Sequence, residues 1–474
     1  MASLFVFVPL LALLLLHLPV ARTFFRRISP YVVGLLLTLQ AIVAIVPPGA
    51  LEDPKAQPWF LPVDISYDGL TRVLLLTIGF VGLSALVVAR STLSAPKARL
   101  DFESLLLASL AAMNGVVLVQ DLFSLWLFIE ALGVGSFVLV ASRKEPGGLE
   151  GAFKYLLLSA VASVLMLAGV ALLLMAAGNT TFAAIRAAVE AGGMFPAGLA
   201  TILFLAGLFV KGGVVPFHGW LPDAYTEAPP AVSVLLAGIV TKVGGLYTLI
   251  RLASECFRGV PGLDTLLLVL GTASIFTGAL AALPQKDMKR MLAWSSVSQV
   301  GYIVVALGAA TPLGLAGAVF HLFNHAIFKT QLFVNAAAVE AATGTRDMDR
   351  MGGLSHRMPW TSGTSVVALF STAGIPPLAG FWSKLIILIA LWQAGHEGWA
   401  AAAILGSLVT LAYFLSLQRR VFFGKLAENM ESVREAGRGL VVPAVLLAAA
   451  TICVGVFFFF ILETFILPVQ NILG

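Results

Sequence analysis

Cysteine is nearly absent: Cys256 and Cys453 are the only two in the chain, far apart and without CxxC spacing, which argues against both a disulfide framework and iron–sulfur ligation. Charge is scarce too. Asp, Glu, Lys and Arg make up 11% of the 474 residues, less than half of the roughly 25% of a soluble domain. No G-x-G-x-x-G or G-x-x-x-x-G-K-[ST] loop is present to hold a nucleotide, and the six histidines do not supply the facing pairs of transverse haem ligation. Period-2 alternation is missing, which disfavours a β-barrel. Long linkers and low-complexity tracts are missing as well. The expectation is therefore no cofactor, no metal site and no nucleic-acid partner.

What the chain has in abundance is apolar length. It is 59% hydrophobic, with a mean hydropathy of +0.98. Because about 20 apolar residues make one helical crossing, runs centred near 11, 38, 78, 110, 131, 165, 206, 240, 272, 299, 326, 372, 409 and 450 predict about 14 spans. The predicted fold class is an all-α polytopic membrane protein, in contact with the lipid bilayer. The first run has no basic residue before it and reads as a retained helix, not a cleaved signal. The segment after residue 181, with Phe182, Ile185, Ala188 and Val189 apolar and Arg186 and Glu190 polar, reads as a short interfacial helix.

The net charge of +5 matters less than its placement. Of 29 Lys and Arg residues, 19 fall in the segments after spans 1, 3, 5, 9, 11 and 13. Only Lys55, Arg72, Arg186, Arg251 and Arg258 fall in the alternate segments. By the positive-inside bias both termini are expected outside a plasma membrane. The remaining five, Lys154, Lys211, Lys242, Lys329 and Lys384, lie within spans, as does Glu130. An ionisable group at membrane depth costs several kcal/mol, so such groups usually mark an ion path or proton relay. The chain reads as a proton or cation translocator.

LFLAGLFVKGGVVPFHGWLPDAY and VVALFSTAGIPPLAGFWSKLIIL are each an apolar span broken near its middle by Gly and Pro, with one Lys close to the break. Paired broken helices in two halves point to an inverted-repeat transport site. The expected organisation is helices 1 to 3 over residues 1–100, a first five-helix repeat over 101–252, a second over 262–425 and a last helix over 439–461. An odd helix number per repeat inverts the second copy.

KYLLLSAVAS, FVKGGVVPFHGWLPDAYTEAPPAVSVLLAGIVTKVGGLY, LAWSSVSQVGYIVVALG, HLFNHAIFKTQLF and STAGIPPLAGFWSKL together resemble the antiporter-like subunits of respiratory complex I, Mrp-type cation/proton antiporters and membrane-bound energy-converting hydrogenases. The likeness covers roughly residues 60 to 425. It implies a relay of Glu130, Lys211, Lys242, His321, His325 and Lys384, with Lys154 and Lys329 as secondary positions. It also implies partners: other membrane subunits of a multisubunit complex, further antiporter-like ones among them. The position in the twelfth span is Lys384 and not Glu, which sets the chain apart from the Glu-bearing branch.

The chemistry stands beside the resemblance. Removing a lysine from water lowers its pKa by up to about 3–5 units, and a carboxylate within about 4–6 Å raises it again. At about 1.36 kcal/mol per unit that swing is worth roughly 4–7 kcal/mol. Moving one charge against roughly 200 mV demands about 4.6 kcal/mol. Blander readings stay open at this point. Glu130 and Lys211 could form a structural pair, His321 and His325 a half metal site or satisfied core residues, and Lys154, Lys242 and Lys329 could snorkel. His218, Asp223 and Glu227 read as a solvated inner loop, and His17, His356 and His396 as boundary residues. The driving reaction is either a partner redox module, complex I-like or hydrogenase-like, or that of an Mrp-type Na+/H+ antiporter; H+ and Na+ both remain as cargo.

Overall fold

Apolar length dictates the architecture. The computed structural model describes residues 2–17, 22–47, 64–192 and 194–473; Lys55 with the polar stretch around it, and the side chains of Arg22 and Arg26, lie outside the described residues. Among these the regular structure is helical, with only three isolated β-bridges. The first helices are α1 Leu4–His17, α2 Arg22–Val43, α3 Gly69–Thr92, α4 Pro96–Leu118, α5 Leu122–Ala141 and α6 Pro146–Ala177. The middle of the chain forms α7 Phe182–Glu190, α8 Leu199–Gly212, α9 Trp220–Glu227 and α10 Pro230–Glu255. Next come α11 Leu263–Ala282, α12 Met288–Gly308, α13 Pro312–Thr343, α14 Pro359–Ala373 and α15 Ala379–Gln393. Last are α16 Glu397–Val421, α17 Arg438–Val456 and α18 Phe458–Ile472.

Among the described residues 9 helices are long and apolar enough to cross a membrane, and shorter apolar helices accompany them. The protein is an integral, multi-pass membrane protein. Five of the expected spans fall outside the nine: α1 and the apolar part of α2 are shorter, and two more are interrupted, α8 stopping at Gly212 before α9 and α14 at Ala373 before α15. The fifth, α13, has length to spare at 32 residues but carries His, Asn, Lys and Gln on an almost wholly buried surface. Such a helix is tolerated at depth because protein, not lipid, surrounds it. The expected interfacial helix is α7, which buries Phe182 and Ile185 and pairs Arg186 with Glu190 at 2.9 Å on its wet side.

Charge gathers at the two ends of the bundle. At one end Arg143 meets Glu145 (2.9 Å) and Glu340 (3.9 Å), Lys154 and Arg290 both meet Asp223 (2.8 and 2.9 Å), and Arg346 meets Asp287 (3.1 Å) and Glu227 (3.6 Å). There Lys286 and Arg420 hold the Asp349 carboxyl below the usual carboxylate range. At the opposite end Arg251, 1% exposed, meets Asp68 and Glu255, each at 2.5 Å. Burial pushes the Asp68 carboxyl up, but the Arg251 guanidinium and the Thr71 amide prevail and hold it low. Arg72 and Arg251 thus sit inside helices and not in loops as expected; Arg72 donates to the carbonyls of Ala44 (3.1 Å) and Ile45 (2.5 Å), where the chain after α2 leaves them open. Asp223 and Glu227 also lie on a helix, α9, and not in a loop.

The chain repeats its own local devices. Asp121 caps α5 through the Ser124 amide at 2.7 Å and bridges to Thr181; Asp287 caps α12 through the Arg290 amide at 3.0 Å and bridges to Asp347. The helices that follow, α6 and α13, are both 32 residues long, begin with proline and stop at a left-handed glycine, Gly178 and Gly344. Because Arg143 at the far end of α5 reaches Glu340, close to the Asp287 bridge, the two bridges occupy opposite ends of the bundle.

Small residues set the tightest packing, as they do where apolar surface gives no drive between helices. A Cβ on Gly278 of α11 would overlap the Ser298 backbone nitrogen of α12, and one on Gly301 would lie 2.6 Å from the Ile275 nitrogen. Gly278→Leu is expected to cost at least about 3 kcal/mol through overpacking, read as loss of a monodisperse, cooperatively melting protein in detergent. Gly363→Ala, where a Cβ meets nothing within 4 Å, should stay within about 0.5 kcal/mol of the parent.

Candidate functional site: a buried row of ionisable side chains

Both broken helices end their first half in mid-bundle at a left-handed glycine, Gly213 (φ 69°) and Gly374 (φ 86°). The break carries a cis Val215–Pro216 bond in one and a cis Pro376–Pro377 bond in the other. A helix that stops there exposes its last carbonyls and the negative end of its dipole, so a cation is favoured at that point. At the first break Trp220 Nε1 donates to the Val210 carbonyl (2.9 Å), and Lys211 lies in the final turn. At the second, Lys384 stands beyond the break on α15, yet its Nζ reaches back to donate to the Thr372 carbonyl (2.9 Å). Thr372 stands before Gly374 as Lys211 stands before Gly213. Two lysines on opposite sides of their breaks therefore bring their ammonium groups to matching helix ends.

Lys211 Nζ donates to Glu130 Oε1 (2.8 Å) and Ser159 Oγ (2.6 Å), so the pair expected from the sequence is in contact. Glu130 is 24% exposed on the outward side of α5. Lys384 Nζ also donates to Ser407 Oγ (3.1 Å) and lies 4.3 Å above the Tyr302 ring, whose hydroxyl meets Ser407 (2.9 Å). His321 joins this group: its Nδ1 is 3.0 Å from Ser383 Oγ and its ring 5.6 Å from that of Tyr302.

Between the two ends lie Lys242, Lys329 and His325, all fully buried and none of them ion-paired among the described residues. Lys242 occupies a stretch of α10 wound as π-helix over Leu236–Val240 and Lys242–Tyr247, and its Nζ donates to the Ala237 carbonyl one π-turn back. Such bulges recur at functional sites. Lys329 donates to Leu292 O (3.0 Å) and Ser295 Oγ, far from either end of α13, so it does not snorkel. His325 stacks on His321 at 6.3 Å with both ring nitrogens unpartnered.

Two glycine crossings fix the order of the row. A Cβ on Gly245 would overlap Gly212, next to Lys211, and a Cβ on Gly238 would overlap Thr330 Oγ1, next to Lys329. Lys242 lies between those glycines on α10, so the sequence in space runs Glu130, Lys211, Lys242, then Lys329 with His325, then His321 and Lys384. Lys154 does not join: it is 44% exposed and paired with Glu150 (2.7 Å) and Asp223 (2.8 Å) at the charged end. Sequence reading missed Ser159, Tyr302, Ser383, Ser407 and the buried Gln299, whose amide is unpartnered. It also counted Lys289 as a loop residue, whereas its Nζ is buried at the start of α12 against Ala228 O (2.7 Å). The helical spacing of Ser295, Gln299 and Tyr302 along one face of α12 was the available signal for those three.

The chain matches the model of a family described as NADH:quinone oxidoreductase/Mrp antiporter, TM, over residues 119–410. It is 33% identical over 437 residues to a Na(+)/H(+) antiporter subunit of Alkalihalophilus pseudofirmus, covering 91% of this chain and 88% of that one. A chain of the Mrp complex structure from Dietzia sp. superposes with a TM-score of 0.89 at 26% identity, over 100% of this chain and 97% of the other. A chain of the membrane-bound sulfane sulfur reductase, an archaeal respiratory membrane complex, gives a TM-score of 0.88 at 27% identity over 100% and 97%. The sequence resemblance is thereby met, and this chain belongs to the NADH:quinone oxidoreductase/Mrp antiporter transmembrane family.

Proposed function

We propose that the protein is the ion-translocating, antiporter-like subunit of a multisubunit membrane complex, passing H+ along Glu130, Lys211, Lys242, His325, His321 and Lys384. The observation that carries this reading is a row of buried amines and imidazoles with a single carboxylate at one end. A purely structural set would pair each charge, because unpaired charge at depth is costly. Orphaned polar atoms on Gln299, His321, Asn324 and His325 border the row, groups that ordered water commonly satisfies and that a water-borne proton can use. Lys329 joins the relay through Ser295.

In this reading the Glu130 carboxylate holds the Lys211 ammonium. When the pair opens, the proton passes to the Lys242 amine, through water and the histidines to Lys384, and from there to the outer side. About 14 crossings arranged as two inverted five-helix units, over 101–252 and 262–425, place the termini outside the plasma membrane. The capping bridges at opposite ends of the bundle support the inversion. A partly exposed Glu130 at mid-span supports a neighbouring subunit, since hydrocarbon is a poor surrounding for it.

A redox module in a partner is the proposed driver, in line with the likeness to a chain of a respiratory reductase complex. The second reading, one part of a Na+/H+ antiporter without redox chemistry, is favoured by the likeness to the Alkalihalophilus antiporter protein. Stoichiometric partners in a mild-detergent preparation separate the two, by the presence or absence of iron–sulfur or nickel subunits. The translocation reading itself is tested in proteoliposomes holding the complex: Lys384→Met should lower ion movement at least about tenfold, and unaltered movement refutes the relay.

A further inference from the structure

The charged end of the bundle contains a cavity of about 380 Å³ between α4, the turn after α5, the start of α10 and the last turns of α13. Asp101, Ser142, Arg143 and Glu340 form its polar wall, and Pro229 and Pro230 line it beside them. Glu340 is only loosely held: Oε1 is 3.9 Å from Arg143, and Oε2 is buried with no partner. Behind the prolines the preceding carbonyl, that of Ala228, receives Lys289 Nζ at 2.7 Å. Lys289 is 1% exposed and, among the described residues, has no carboxylate in contact, while Glu340 acts on it most strongly among the surrounding charges. Six residues further along α12, about 9 Å of helix, Ser295 receives the Lys329 ammonium.

We propose, resting on the translocation reading above, that this cavity is the inner port of the ion path, with Glu340 as its proton-collecting group and Lys289 as the first internal acceptor. The Glu340 carboxylate takes a proton from inner water. It yields that proton to the uncharged amine of Lys289, which passes it through water to the amine of Lys329 and returns to its starting form. Arg143 after α5 meets Glu340 and Asp101 on α4 shares the cavity wall with it, while Asp287 at the start of α12, Arg346 after α13 and Glu227 at the end of α9 surround Lys289 together with Glu340.

The test uses the whole complex in vesicles. With Cys256→Ser and Cys453→Ser as background, Ala98→Cys, half-buried on the cavity wall, should react with a charged methanethiosulfonate from the inner face only; no reaction from that face overturns the port. Glu340→Gln should slow outward proton movement at least about tenfold at inner pH 8 and recover at inner pH 6, because abundant protons replace a collecting group. Glu340→Asp should restore most of the rate at pH 8, which separates collection from folding. Equal slowing at both pH values, or none, overturns the role of Glu340. If the unmodified complex moves no ions, the translocation reading fails, while thiol access still decides whether the cavity is a water-filled port.

Discussion

Glu130→Gln is expected to slow ion translocation at least about tenfold and to lower the melting temperature of the protein at the same time. The glutamine amide keeps the size of the side chain and one acceptor, but it removes the only carboxylate in contact with Lys211 among the described residues. Lys211 is then left with Ser159 at 2.6 Å and no counter-charge. Taking one partner from a buried pair costs about 3–5 kcal/mol when the other stays charged. Lys211 can escape part of that cost by losing its proton, and doing so empties the first site of the relay. The two losses are therefore linked. Transport in proteoliposomes and thermal unfolding in detergent read them separately, and Glu130→Asp, with the charge kept on a shorter arm, should fall between. A stable Glu130→Gln protein with normal transport would show the pair to be neither structural nor functional.

Lys242→Met is expected to stop transport, by about a hundredfold or more, without lowering the melting temperature. Among the described residues Lys242 Nζ has one hydrogen-bond partner, the Ala237 carbonyl, and no acid beside it. Methionine fills nearly the same volume, and replacing a buried charge by an apolar side chain is often neutral or stabilising. A loss of function with stability kept or raised is the signature of a group retained for chemistry at the expense of packing. The same two measurements apply, and a variant that transports normally but melts early would make Lys242 a packing residue.

Sequence alone disclosed the membrane class and the ionisable residues because both depend on what side chains are, not on where they go. Apolar length and the rarity of charge were enough for Glu130, Lys211, Lys242 and Lys384. The contact between Glu130 and Lys211 came from resemblance and not from spacing, since residues so far apart in sequence meet only because α6 packs against both α5 and α8. Lys154 and Lys329 looked alike in sequence, each close to the edge of an apolar run. Their fates differ because α13 is enclosed by other helices, whereas Lys154 finds Glu150 and Asp223 at the wet end. Lys289 was misplaced for the converse reason: the end of α9 at Ala228 folds over it, and no periodicity within α12 reveals such a cover.

Gly212 and Gly245 bring α8 and α10 into backbone contact beside Lys211 and Lys242. Helices that touch without intervening side chains have no room to roll or slide, so the step between those two amines falls to the flexible butyl arms themselves. Side-chain swings of this kind take picoseconds to nanoseconds when unhindered, against microseconds to milliseconds for collective helix shifts. The first exchange should then proceed at the same pace in thin and thick bilayers, and its pace should follow the crowding around two methylene chains.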